Sequence, residues 1–490
     1  MNERLGLGIV FLVGVGAATA CTSLLGNDFE VGDGGGGQGA GGGSGGTGGS
    51  TSCEPGTAIC SDATTLVECS ESGEPIESQC PTEAPVCAGG ACVPCEGTAT
   101  RCNDPVVEHC EAGQWVSGET CTIGCDEGAC LEVVDLGAGV AHTCAVLSNG
   151  TVRCWGYDKH DLLFIDGLDD PAEPGSYVMT PTPVPDLDDA VEVAGGDAHS
   201  CVRTMTDEVK CWGWNGMGQL GTGDFANADT PAPVALSSTV TSMAVALASN
   251  CVALASGDMA CWGLNEHGEF GNGEAGSSLT EPTPVEISFG FPVDQVSGTY
   301  GHTCARVTVA EAFCFGNNGS GQLGNGTTDD STTPVGVMGE GVQEIFAGDG
   351  HTCGRIGTEL ACWGSNNNGQ LGLGVTGSNV LSETMVTAVG GATRIELSDN
   401  FSCVLDGSDQ LVCWGRNVEG QMGNGQSGAN TWQLTPFTVP IGPVRDVALG
   451  YKHGCAVTTD GEVLCWGLNN HGQLGTGDIT AQVSPQPVVW

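Results

Sequence analysis

Cysteine and histidine are the residues of this chain best suited to chemistry, and both recur at set intervals. There are 27 cysteines and nine histidines among 490 residues. Cysteine at that density ligates metal, does thiol redox chemistry or staples the chain with disulfides. Seven cysteines stand directly before Trp-Gly or, once, Phe-Gly, and each has a partner nine or ten residues upstream. The pairs are Cys144–Cys154, Cys201–Cys211, Cys251–Cys261, Cys304–Cys314, Cys353–Cys362, Cys403–Cys413 and Cys455–Cys465. In five copies a histidine (His142, His199, His302, His351, His453) lies two residues before the first cysteine. A catalytic histidine would stand out in one copy. Recurrence in five is what a structural hydrogen-bonding role produces.

The elements that position these residues follow from the spacing. The Trp-Gly cysteines succeed one another at 57, 50, 53, 48, 51 and 52 residues. A period near 50 marks a repeat array with one supersecondary unit per copy. Each copy holds short β-branched and apolar segments divided by Gly, Asn, Asp and Pro, with no helical periodicity, so it reads as strands and turns. Four short strands in about 50 residues make one propeller blade, and seven blades close a ring.

The pattern G-x-x-H-[ST]-C-A, then V-x-C-W-G-x-N-x-x-G-Q-L-G-x-G, then P-x-x-V resembles the RCC1 (regulator of chromosome condensation) repeat. The resemblance implies an all-β fold, a seven-bladed β-propeller over residues 131–490. It also supplies two functional precedents: nucleotide exchange on a small GTPase, and a secreted bacterial inhibitor that grips a β-lactamase. Some copies depart from the pattern. Ser249 and Phe401 stand where histidine is usual, Phe315 replaces a tryptophan, and Tyr157–Gly175 replaces the N-x-x-G-Q-L-G stretch of the first copy. The tryptophan of Trp-Gly reads as packing within the blade core.

The paired cysteines can be placed on a hairpin. If Cys144 faces Cys154, the turn is Ser148-Asn149-Gly150, whose last position wants a left-handed residue. The cysteines then form a non-hydrogen-bonded cross-strand pair with Cα atoms about 4.5 Å apart, within disulfide range. Cys353 and Cys362 are one residue closer, which demands a two-residue turn, and Gly357-Thr358 has the Gly-X signature of type II′. Thr308-Val309-Ala310 in the fourth copy fits this scheme poorly.

Ahead of the propeller the chain has three further parts. Residues 1–20 carry Arg4, an apolar run from Leu5 to Val15 and a small-residue box at Ala18–Ala20, the features of an export signal. Cleavage there leaves Cys21 first, as in bacterial lipoproteins, although Ala18 stands where Leu is usual; plain secretion with an unmodified Cys21 is the alternative. Residues 21–52 are a Gly-rich tether, with a reach of roughly 30 Å. Twelve cysteines then fall in two matching sets, residues 53–92 and 93–130, with steps of 7, 9, 11, 7, 5 and 7, 8, 11, 4, 5. Modules of this size need staples, so three disulfides each are expected. Zinc wants paired C-x-x-C clusters, and the one here, Cys92 to Cys95, falls at the module boundary. Six cysteines allow fifteen pairings, so connectivity stays open. One plus twelve plus fourteen accounts for all 27 cysteines, and the odd one is Cys21.

Composition narrows function. The formal charge is −47, with Lys159, Lys210 and Lys452 the only lysines. Such a polyanion gains nothing from neutralising phosphates, which excludes nucleic acid and leaves the lipid anchor as the one membrane contact. No phosphate-loop, H-E-x-x-H or G-x-S-x-G signature is present, and Gly319–Gly324 matches G-x-G-x-x-G without a helix after it. No catalytic, cofactor or metal residues are assigned, and the Asp-rich Asp186–Asp189 stretch does not match a calcium loop. The expectation is a monomeric lipoprotein of the outer membrane or cell surface, or else a secreted or periplasmic protein. Its propeller is a non-catalytic platform for a protein or glycan. The alternatives are a surface glycan hydrolase with carboxylates near the propeller axis and, from the resemblance, a guanine-nucleotide exchange factor. The partner-binding residues, if the ring carries a patch, are Tyr157, Asp158, Lys159, His160 and Phe164 in the first copy. There Gly156 to Pro181 takes 25 residues against 18 or 19 in most copies. A length-tolerant surface insertion with no function explains the same residues equally well.

Overall fold

A computed structural model describes residues 99–103, 105–111, 114–158, 177–387 and 389–490, together with the strand backbones Ala58–Cys60, Thr65–Cys69, Pro75–Gln79, Val86–Ala88 and Ala91–Val93. The export segment, Cys21, the tether, Lys159, His160 and Phe164 lie outside the described residues. The chain divides into two compact units between Glu119 and Thr120.

The duplicated cysteine modules repeat one topology. The first has a three-stranded antiparallel sheet followed by a hairpin in which Cys87 faces Cys92. The second has a three-stranded sheet of Thr100–Asn103, Val106–Glu111 and Gln114–Thr120, then the hairpin Cys125–Asp126 and Ala129–Cys130. Cys121 and Cys130 are bonded, and Cys102, Cys110 and Cys125 are also in disulfides.

From Val133 onward the chain forms seven blades of four antiparallel strands, each in sequence order. Blade 1 consists of Val133–Ala138, His142–Leu147, Val152–Tyr157 and Tyr177–Pro183. Blades 2 to 5 begin at Ala190, Val240, Val293 and Val342, and blade 6 at Arg394. A single long strand, Trp432–Leu449, ends blade 6 and, from Val444, begins blade 7. Every blade comes from one contiguous segment. No strand is exchanged between the two ends of the ring, so side chains and loops must close it.

The second strand of each blade is buried along most of its length, polar residues included, because neighbouring blades cover both its faces; His142–Leu147 is buried at every position. Six tryptophans, one per blade except blade 4, are the largest fully buried side chains. All seven cysteine pairs face each other between the second and third strands and are bonded, with Cα–Cα distances of 4.1 Å. The turn chemistry is as the spacing requires. The last turn residue is left-handed at Gly150, Asp207, Gly257, Asp409 and Gly461, and Gly357 is left-handed at the first position of the shorter turn in blade 5. Blade 4 keeps the three-residue turn: Ala310 takes the left-handed slot at φ 62° and its N–H donates to Val307 O. A Cβ there costs roughly 1–2 kcal/mol, which explains why the sequence looked wrong for the turn it makes.

Candidate functional site

Each repeat motif turns out to be one half of a contact between blades. His142 Nε2 lies 2.9 Å from Ser200 Oγ of blade 2, and His302 stands in the same relation to Thr352, His351 to Ser402 and, closing the ring, His453 to Thr143 at 3.0 Å. His199 meets Asn250 instead. The hydroxyl protons of Thr143, Thr352 and Ser402 are already donated to the carbonyls of Gln473, Gln322 and Gln370. Each of those hydroxyls can therefore only accept from histidine, which fixes the neutral Nε2–H tautomer. The Nδ1 atoms of all five histidines are buried without a partner. Burial holds His142, His302 and His351 down to about 3 and His199 and His453 to about 4. The glycine of G-x-x-H lies beneath the ring: a Cβ on Gly450 would collide with His453.

The tryptophans are buried in the core, as their recurrence suggests, and they also cross the seams. Trp155 Nε1 donates to Gln473 O, Trp262 to Gln219 O, Trp363 to Gln322 O, Trp414 to Gln370 O and Trp466 to Gln421 O, at 2.7–3.0 Å. The G-Q-L-G loop that presents these carbonyls is held by the asparagine of W-G-x-N. Asn469 Oδ1 accepts from Leu474 N, while its Nδ2 donates to Asp478 O and Thr480 O. Gly319–Gly324 is such a loop around Asn318 and not a phosphate cradle.

Of the five first-blade candidates, two are described. Asp158 is 2% exposed and occupies the repeat position of that organising asparagine, so it is not on a recognition surface. Tyr157 packs edge-on against His471 across the blade 7–blade 1 seam, with centroids 4.7 Å apart.

The first strands of the blades line a central channel of about 580 Å³. Six of them carry a bulge that re-aims the side chain after it. In four of the six that side chain caps a backbone N–H of the next blade: Asp135 accepts from Val193 N, Ser242 from Val296 N, Gln295 from Ile345 N and Asp446 from Leu136 N, whereas Glu192 and Glu344 pair with Arg203 and Arg355. Arg394 crosses the wall to Asp446 at 2.8 Å and to Glu396 at 3.3 Å. Burial pushes Glu396 up to about 7, with Arg394 opposing, and raises Asp135 and Asp446 in the same sense.

At one mouth of the channel stands the residue two before the histidine position: Val140, Leu247, Tyr300, Asp349, Asp399 and Tyr451 line it, and Asp197 holds the same repeat position in blade 2. Tyr300 is 48% and Tyr451 36% exposed. Asp349 is pushed up to about 7, first by burial and then by a hydrogen bond shared with Asp399. Asp399 also bonds Tyr451, whose hydroxyl is raised by burial and by that carboxylate. These residues escaped the sequence reading. Their signal was there, as a varying column inside the G-x-x-H motif that mixes tyrosine and aspartate with Val140 and Leu247.

Comparisons with known proteins agree with this architecture. Models of the regulator of chromosome condensation (RCC1) repeat match residues 133–161, 190–219, 392–421 and 444–473, and a second model of that repeat matches 207–254, 311–354, 408–457 and 460–490. The ultraviolet-B receptor UVR8 of Arabidopsis thaliana is 28% identical over 365 residues, 73% of this chain and 70% of that protein. The human E3 ubiquitin-protein ligase HERC2 is 26% identical over 375 residues, which span 74% of this chain but 7% of the ligase. Among solved structures, Prp20p of Saccharomyces cerevisiae superimposes with a TM-score of 0.61 at 19% identity, covering 73% of this chain and 87% of that one. The yeast RCC1 bound to Kap60 gives 0.60 at 20% identity, covering 69% and 83%. With the blade count, the seam contacts and these matches together, the propeller is built of RCC1 repeats and belongs to that repeat family.

Proposed function

We propose that this chain is an exported, lipid-anchored monomer whose propeller is a non-catalytic platform for a protein partner, held at the cell surface or outer membrane through Cys21. The observation that carries the platform reading is the channel mouth. Two exposed tyrosines and a hydrogen-bonded carboxyl pair occupy the variable column of the ring, on a scaffold whose other motif residues are committed to the seams. Rigid scaffolds with variable aromatic positions are built for binding. Solved propellers of the family are described with protein partners: yeast RCC1 bound to Kap60, and Prp20p by its binding to Gsp1p and histones. Anchoring is supported by the leftover cysteine after a small-residue box and before a tether. Export would also keep the chain from a cytosolic GTPase, so exchange activity is not favoured.

The hydrolase alternative has one observation in its favour, the carboxyl pair at the axis. Glycosidases need carboxyl groups about 5–9.5 Å apart to admit a nucleophile or water, and Asp349 and Asp399 are within hydrogen-bond reach of one another. That pair is therefore too close for either glycosidase arrangement. Cross-linking on intact cells, followed by pull-down of wild type and of Tyr300→Ala/Tyr451→Ala, tests the platform. Loss of a specific cross-linked protein in the variant is expected, and an identical set of captured proteins would place the partner elsewhere. Mass spectrometry of the membrane fraction should find a lipid-modified Cys21 at the amino terminus.

A further inference from the structure

The mouth is continuous with a second feature, a polar track running outward between blades 5 and 6. Trp432 opens the outer strand of blade 6 and is 41% exposed. Its Nε1 donates to Asn368 Oδ1 at 3.2 Å. Asn368 Nδ2 donates in turn to Asn400 Oδ1 at 2.7 Å, and Gln370 Nε2 reaches the same oxygen at 3.4 Å. Asn400 follows Asp399, which bonds both Tyr451 and Asp349. A hydrogen-bonded run of Trp432, Asn368 and Asn400 thus leads from an exposed indole on the ring's outer part toward the mouth, where Asn400 is the chain neighbour of Asp399.

We infer that this track is a saccharide-binding site, distinct from whatever protein the ring holds. A pyranose presents an apolar C–H face and a rim of hydroxyls that both donate and accept. Trp432 answers the first need: its polar edge is already satisfied by Asn368, so the 41% of it left exposed is chiefly apolar ring surface. The two asparagines answer the second. Each side-chain amide carries two donors and two acceptor lone pairs, and the bonds above leave capacity of both kinds. Their side chains are held by one another and by Gln370 Nε2 on Asn400, while Gln370 Oε1 accepts from the backbone N–H of Asn368 at 2.9 Å. Ordering costs on binding are thereby reduced. A basic peptide is the less suitable occupant, because this face carries both charge signs. Glu419 pairs with Arg416 and Lys452, and the Lys452 ammonium already sits 5.2 Å over the Tyr451 ring. A neutral, hydroxyl-rich ligand suits such a mixture.

The test is retention of the full chain on an array of neutral oligosaccharides, with any bound sugar then titrated in solution by tryptophan fluorescence. Trp432→Ala should weaken binding roughly tenfold or more, the effect expected of an aromatic anchor. Trp432→Phe keeps a stacking face and should retain most of the affinity, and Asn368→Ala should fall between the two. Near-ultraviolet circular dichroism, dominated by the six buried tryptophans, reports whether each variant is folded. No retention on any neutral oligosaccharide, or retention unchanged by Trp432→Ala in a folded variant, overturns the inference. The protein-partner reading stands or falls separately, on the cross-linking result with Tyr300 and Tyr451.

Discussion

The seam between blades 7 and 1 and the seam between blades 6 and 7 have the same tryptophan-to-carbonyl bond and opposite chemistry beside it. In the first, His453 donates to Thr143, whose hydroxyl donates to Gln473 O. In the second, Phe401 stands where the histidine would be and Gly454 where the hydroxyl would be. Phe401 is fully buried in one cluster with Trp466, Leu449 and Ala456. A Cβ on Gly454 would come within 2.9 Å of the Trp466 ring, so the indole has moved over the vacated position. The lesson is that the two repeat positions are coupled across the seam, residue by residue. A polar donor needs a polar acceptor, because an unpaired buried imidazole costs about 1–3 kcal/mol. Where the donor has become an aromatic ring, the acceptor has disappeared with it.

Truncating the apolar seam gives the largest expected effect. Phe401→Ala removes a fully buried ring between two disulfide-stapled hairpins that cannot collapse, and should cost about 3–5 kcal/mol. Phe401→His should be damaging too, since it meets Gly454 and no hydroxyl. Adding Gly454→Thr should then recover part of the loss if the indole can shift back. Denaturant melts of the four species form a double-mutant cycle, with a coupling energy of about 0.5–3 kcal/mol expected. A coupling near zero would break the paired-position account.

The next effect separates the seams by pH. His453 is held at about 4, below its ordinary 6.5, because it is fully buried. In that window the unfolded chain binds a proton that the folded chain refuses. Its contribution is therefore present above pH 6.5 and lost as pH falls through about 4. The full shift corresponds to about 3 kcal/mol as an order of magnitude. The other four seam histidines act in the same direction. Converting the closing seam to the apolar form, His453→Phe with Thr143→Gly, should flatten the acid side of the stability–pH curve by one histidine's share. Proton uptake on acid unfolding should fall by about one. An unchanged acid limb would mean that the histidines do not govern it.

What was legible in the sequence follows the same division between local and closing contacts. The blade count follows from a period near 50 residues, while the hairpin register and all seven blade disulfides depend on residues within ten positions of one another, and turn chemistry carries that information. The role of the histidines as structural was legible from their recurrence, but not their partners. His142 meets Ser200, 58 residues on, and His453 meets Thr143, 310 residues back. The channel and its mouth were illegible for a geometric reason: which strand faces the axis is decided only when the ring closes. Asp349, Asp399 and Tyr451 are ordinary loop residues until closure sets them side by side. Trp432 could have been suspected as one of two tryptophans after blade 1, with Trp490, that neither precede nor follow a Gly of the repeat motif, yet nothing in the sequence links it to Asn368.

The smallest effect sharpens the comparison from the opposite side of neutrality. The blade 6–blade 7 seam lacks a titrating histidine, but its channel wall carries Glu396 beside Arg394, which also reaches Asp446 of blade 7. Burial raises Glu396 from 4.5 to about 7, with Arg394 opposing the shift. Here the folded state holds the proton more tightly than the unfolded one. The contribution is full below pH 4.5 and is lost as pH rises through about 7, the reverse of His453. Because the carboxyl faces channel water, the stability involved is discounted to about 1 kcal/mol. Glu396→Gln keeps a hydrogen-bonding group beside Arg394 without the titration. Between about pH 5 and about pH 8 it should lose less stability than wild type, while its acid limb stays as before. A variant whose alkaline slope matches wild type would show that Glu396 ionises in the channel as freely as in the unfolded chain, and that the two seams differ in pH response through their histidines alone.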